Sequence, residues 1–383
     1  MSLAEHLPLD ATLAAYVQQA EALRGGHRHR SPIALQLLRH CLPRFLDPAV
    51  PWKPLPISDD EIFATPLTPD DAQLAVARGY SFLDWQRLVE LVAAVHTPDS
   101  PVGAFERAVE AVITGDADAL RAMLAAQPEL IRARSTRVTC HDPAVHGATL
   151  LHYIGANGVE SYRQRTPSNA VEIARLLFDA GAEPDALAHM YGGPHATLGM
   201  LISSSKPREA GVHLDLLQLF LERGAAPDGA SEGAWSTPLF AALVFGYRDA
   251  AALVAARGAR ADTLPFAAGL GRLADSARLL PLASEADRHA ALAMAVINEQ
   301  LDVTALLLDA GVDPNRFNPP SMHAHSTPLH GAALGGHLAL VQLLVRHGAR
   351  VDLPDRHWHS TAADWAEHGE HPEVAAWLRA QVV

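Results

Sequence analysis

Lysine is almost missing from this chain: Lys53 and Lys206 are the only two in 383 residues. Cysteine is as scarce. Cys41 and Cys140 are too few for a disulfide framework or a cysteine-rich zinc site, and they fit a reducing compartment. Aromatic residues make up 6% while hydrophobic residues reach 49%, so a large core must be built chiefly from alanine and leucine. That composition favours closely packed helices and excludes disorder over most of the length. Positive charge is in deficit, with a formal net charge of −13. A field of that sign repels phosphate backbones and anionic lipid, which argues against nucleic acid or a membrane surface as the main partner. No apolar run approaches the roughly 18 residues a membrane helix needs. Glu5 and Asp10 stand where a secretory leader would be apolar. These absences lead to the expectation of a cytoplasmic protein.

What is present is a repeat. Thr327-Pro328-Leu329-His330-Gly331-Ala332-Ala333 is followed by Gly336-His337, by Val341, Leu343 and Leu344, and by Gly348-Ala349. Thr237-Pro238-Leu239-Phe240-Ala241-Ala242 leads in the same way through Gly246 to Gly258-Ala259, and in both copies Thr stands 21 residues before the second Gly. The threonine caps a helix, proline tolerates the first helical position, alanines permit close approach and glycine ends the element. Degenerate copies open at Thr149, Thr197, Leu264, Ala290 and Thr361, and another begins near Phe105. About eight units therefore cover residues 103–383. Neither helix of such a pair buries its apolar face without a neighbour.

The first hundred residues lack the period. Residues 10–23 read as a helix broken by Gly25-Gly26, and residues 32–45 as a second. The proline-rich stretch 48–67 reads as a stiff connector. Thr68-Pro69-Asp70-Asp71 starts a helix that stops near Gly79, and Ser81 starts another. Residues 1–96 are expected to form a small helical domain ahead of the repeats.

The repeat units resemble those of the bacterial ankyrin-repeat proteins. Asp70-Asp71 through Trp85, and the insertion-bearing unit that runs from Thr149 to Ala182, look like a subgroup with an N-terminal helical segment. The resemblance implies an all-α ankyrin-repeat solenoid that binds another protein through its concave face and finger loops. It implies a structural role for His152 and His330, the fourth residues of their motifs. It carries over no activity to particular residues.

Two departures from the plain repeat nominate sites. Thr149 stands 32 residues before Gly181 and Thr197 stands 27 before Gly224, so both units carry insertions between their helices. The insertions and their surroundings supply Tyr162, Arg163, Arg165, Tyr191, Lys206 and Arg208. Guanidinium forks suit carboxylate or phosphate, so these residues are candidates for an anionic small-molecule or acidic-peptide pocket. The plainer alternative is that Glu160, Glu172 and Glu209 neutralise them.

The second departure is histidine. His323 aligns with His357 and His325 with His359 at one 34-residue step, on neighbouring fingers. With Trp358 and Trp365 they form a candidate partner-binding surface, because aromatic anchors dominate protein interfaces. The competing reading places a transition metal among these histidines with Asp355 or Asp364, making the groove an active site. No H-E-x-x-H, phosphate-loop or G-x-S-x-G pattern supports catalysis, and no cofactor is expected. A protein-binding module is the leading expectation, and an enzyme with a groove active site the alternative.

Overall fold

The computed structural model describes residues 5–156, 160–190, 192–231 and 237–381. Tyr191 lies outside the described residues. The chain divides into two compact units, Met1–Ala225 and Ala226–Val383, so the boundary expected between residues 96 and 103 falls inside the first. No helix among the described residues is long and apolar enough to cross a membrane.

In the first unit α1 (Leu13–Arg28) and α2 (Pro32–Cys41) pack on α4 (Pro69–Gly79), and α5 (Trp85–His96) follows. The expected break at Gly25-Gly26 does not occur, and α1 runs through both glycines. Tyr16, Gln19, Ala20 and Leu23 are buried in this cluster, and that contact outweighs the roughly 1 kcal/mol each glycine costs a helix. The proline-rich stretch is not a bare connector either. It holds an antiparallel ribbon of β1 (Leu46–Asp47) and β2 (Val50–Pro54), with Lys53 exposed on the latter, and the short helix α3 (Asp59–Ala64). Thr68 and Asp71 form the capping box of α4, as their spacing predicts. Asp84 rather than Ser81 caps α5; Ser81 is a buried turn residue with φ of 65°.

Three helix pairs complete the unit. The inner helices are α6 (Pro101–Thr114), α8 (Leu150–Ile154) and α10 (Thr197–Ser203). The outer ones are α7 (Ala117–Ala126), α9 (Ala170–Asp179) and α12 (His213–Glu222), each set packing in sequence order. Between the second and third pairs the finger forms a small antiparallel ribbon, β3 (Leu187–Met190) with β4 (Gly193–Ala196). The insertion after α10 folds as the single-turn helix α11 (Ser205–Glu209).

The second unit repeats the motif five times. Its inner helices are α13 (Pro238–Val244), α15 (Leu264–Gly269), α17 (Glu285–Ile297), α19 (Pro328–Leu334) and α21 (Ala362–His368). Each packs against the next. Their outer partners are α14 (Arg248–Ala256), α16 (Leu273–Leu279), α18 (Leu301–Asp309), α20 (Leu338–Arg346) and α22 (Pro372–Arg379). Helices of six to nine residues, as most of these are, do not persist alone in water. Burial holds them: all seven residues of α13 are buried, and one continuous apolar cluster runs from Leu264 to Leu378. The turn after each inner helix demands a left-handed residue. Gly246, Gly271 and Gly336 take it at φ of 68°, 70° and 72°, whereas Glu299 and Glu370 occupy the same place at 59° and 63°. An all-α class with eight helix pairs among the described residues is thus the observed architecture.

Candidate functional site

The finger joints explain much of the sequence pattern. In α8, His152 Nδ1 accepts from the Thr149 amide at 3.2 Å, which fixes the proton on Nε2, and Nε2 donates to the His195 carbonyl of the next finger at 3.3 Å. Thr327, His330 and the Ser360 carbonyl repeat the arrangement at 3.3 Å and 3.3 Å. Burial pushes the His152 imidazolium down to about 4, and lowers His330 in the same direction. The acid or amide after the Gly-x-x-Pro steps at Gly224 and Gly311 is a second joint. Asp228 Oδ1 accepts from the Arg260 amide at 2.7 Å and Asn315 Oδ1 from the Arg350 amide at 2.8 Å, one finger further on.

The last finger is held by one buried carboxylate. Asp355 is 1% exposed and accepts from the amides of His357, Trp358 and Ser360 at 2.7, 2.7 and 3.0 Å, and from the Trp365 indole N–H at 3.0 Å. Burial alone would raise its pKa. The Trp358 amide, the Trp365 indole and the His357 amide outweigh it and hold the carboxyl at about 2. The tip so fixed carries a continuous ring cluster. His325 lies 4.7 Å from His357, 5.2 Å from Trp358 and 5.6 Å from Trp365 between ring centroids, and His323 lies 6.2 Å from His325. Trp358 stays 65% exposed. Arg356 stacks at 4.0 Å over Phe317 of the preceding finger.

The 34-residue correspondence of histidines is not kept in the backbone. The left-handed residue is His323 in one finger and His359 in the other, because Asn318 and Ser326 close the first loop over eight residues while Asp355 and Ser360 close the second over five. His359 is exposed and outside the ring cluster. Among the described residues no three His, Cys, Asp or Glu side chains come together as ligands for a metal ion.

Three of the four cations of the insertions go to different partners, and the fourth, exposed Arg165, forms no ion pair among the described residues. Lys206 pairs with Glu209 at 2.7 Å on exposed α11, and Arg208 lies 3.2 Å from the His213 ring. Arg163 instead is 2% exposed and joins a buried network that sequence periodicity did not reveal. Its guanidinium donates to Glu106 at 2.5 Å and Glu160 at 3.2 Å, and Arg137 donates to Glu106 at 3.0 Å. Glu160 also meets His146 at 2.7 Å and accepts from the Tyr153 hydroxyl at 3.0 Å. Burial would neutralise both carboxyls, but Arg137 and Arg163 hold them below the usual range and ionised. The visible signal for Glu106 was a carboxylate inside the apolar run of α6; Arg137, 31 residues away, had none.

Beside this network lies a cavity of about 270 Å³. Tyr162 and Arg165 line it together with Arg137, Arg163 and the N-terminal residues His6 and Leu7. His6 packs 5.1 Å from both Tyr80 and Tyr162, and Leu7 donates its amide to the Tyr80 hydroxyl at 2.7 Å.

The profile of the ankyrin repeats, in three copies, matches residues 292–382. A cyclin-dependent kinase inhibitor 2A from Monodelphis domestica is 35% identical over 124 residues, which cover 31% of this chain and 69% of that protein. A cyclin-dependent kinase 4 inhibitor B from Bos taurus is 40% identical over 78 residues, 20% of this chain and 56% of its own. The human cyclin-dependent kinase inhibitor 2A shares 40% over 78 residues, 20% of this chain and 47% of its own. The chain thus spans about half the length of the latter two.

Proposed function

This chain belongs to the ankyrin-repeat family, and on that footing we propose that it is a protein-binding module whose recognition surface is the last two fingers and the inner-helix face beside them. One observation carries the reading. Trp358, a large apolar side chain, stands exposed on a tip that Asp355 locks through four hydrogen bonds, with His325, His357 and Trp365 packed against it. A pre-ordered aromatic anchor loses little conformational entropy on binding, which is the property that makes tryptophan an interface hot spot. Exposed His323, His357 and His359, with Arg356 stacked on Phe317, add polar groups to the same two fingers.

Membership of the bacterial subgroup, a cytoplasmic location and use of the concave face belong to the same proposal. Inhibition of a cyclin-dependent kinase is a property in the names of the relatives. Here the matched stretch is at most 31% of the chain, and a repeat scaffold fixes shape far better than it fixes ligand.

The test is quantitative affinity purification of the full chain beside Trp358→Ala and His357→Ala. Loss of a desolvated tryptophan costs about 2 kcal/mol or more, so partner recovery should fall at least about tenfold for Trp358→Ala while the melting temperature holds. Equal recovery from all three proteins sinks the finger surface as the site.

A further inference from the structure

The cavity of the first unit has a charge ledger that selects a ligand class. Of its charged lining, Arg137 and Arg163 are balanced by Glu106 and Glu160. Two charges of opposite sign remain, Arg165 and Glu110, and among the described residues neither forms an ion pair. Arg137 and Arg163 are 4% and 2% exposed with their Nε atoms enclosed, that of Arg137 lying 3.8 Å from Glu160, so their charge is met inside the network. The remaining wall is apolar, from Leu7, Leu9, Phe82 and Leu91, with the Tyr16 ring beside them. His6, kept neutral by burial, adds no charge.

We propose that this cavity binds a small zwitterion with an apolar side chain, an α-amino acid of the leucine or phenylalanine class. Its carboxylate lies toward Arg165, its ammonium toward Glu110, and its side chain against the leucines. A simple anion would leave Glu110 opposed to it, and a simple cation would leave Arg165 opposed. The size agrees. A volume of about 270 Å³ equals the liquid share of roughly nine waters, at the small end of ligand pockets and right for about ten to fifteen non-hydrogen atoms.

The experiment titrates the full-length chain with L-phenylalanine, 3-phenylpropionate and 2-phenylethylamine by ligand-observed NMR and calorimetry. Phenylalanine should saturate one site, and each analogue should bind at least about tenfold more weakly because it leaves one charge unpaired. Glu110→Gln should remove the preference for phenylalanine over phenylpropionate, and Arg165→Gln its preference over phenylethylamine. Arg165 is exposed, so that variant keeps the test sound if Glu110→Gln fails to fold. The proposal is overturned by no saturable binding of phenylalanine or leucine, by phenylpropionate binding equally or more tightly, or by variants that change neither preference. Ordered water alone in the cavity of a crystal soaked with phenylalanine would overturn it too.

Discussion

His152 shows how one side chain can serve two elements. Its Nδ1 closes the cap of its own helix and its Nε2–H reaches the carbonyl of the next finger, so it must stay neutral to do both. The unfolded imidazole titrates near 6.5, the folded one near 4. Below 6.5 the unfolded chain therefore takes up a proton that the folded chain refuses. The stability contributed by the neutral ring is complete above about pH 7 and declines as pH falls toward 4, by about 3 kcal/mol in all. Denaturant midpoints should fall across that window, and His152→Gln should flatten the slope; an unchanged slope would show that the ring is protonated without cost. Asp364 stands where His152 does, in the final unit, and its cap with Thr361 is instead present above the carboxylate range and lost as pH falls through it.

At the scale of the element, the left-handed turn after each inner helix is the clearest liability. Glu370 holds φ of 63° where three sister positions carry glycine, and its exposed side chain forms no ion pair among the described residues. A Cβ in that region costs roughly 1–2 kcal/mol, of which the greater freedom of unfolded glycine returns part. Glu370→Gly should raise stability by about 0.5–1 kcal/mol, read from the urea midpoint, and a loss would show that the side chain is used. The turns at Gly246, Gly271 and Gly336 were legible in the sequence from their glycines, whereas those at Glu299 and Glu370 carry no such mark. The β1–β2 ribbon and the continuity of α1 were not legible, since packing on α4 decides them and local propensity points the other way. The two sites divide similarly. Residues 323–359 stood out because their histidines recur at one 34-residue step. Arg163 was grouped with Lys206 by insertion length alone, whereas its partner Glu106 lies 57 residues back and pairing at that range leaves no periodic trace.

Across the whole molecule, stability in a stack of pairs is a sum of local pieces and neighbour contacts. Leu307 of α18 is fully buried in the cluster of the second unit. Leu307→Ala should cost about 2–5 kcal/mol there. Hydrogen exchange should show lost protection in α17 to α20, with α1 to α5 unchanged; equal loss in both units would mean that the chain opens as one body.

Lys53 on its ribbon and Lys206 in its ion pair on α11 both belong to Met1–Ala225, which leaves the second unit without a single lysine amine. Acylation, ubiquitin conjugation and amine-directed cross-linking at lysine can therefore mark only the first half of the chain. No lysine-to-lysine cross-link can tie a partner seated on Trp358 to the second unit, and carboxylate-directed or photochemical coupling is the chemistry that can.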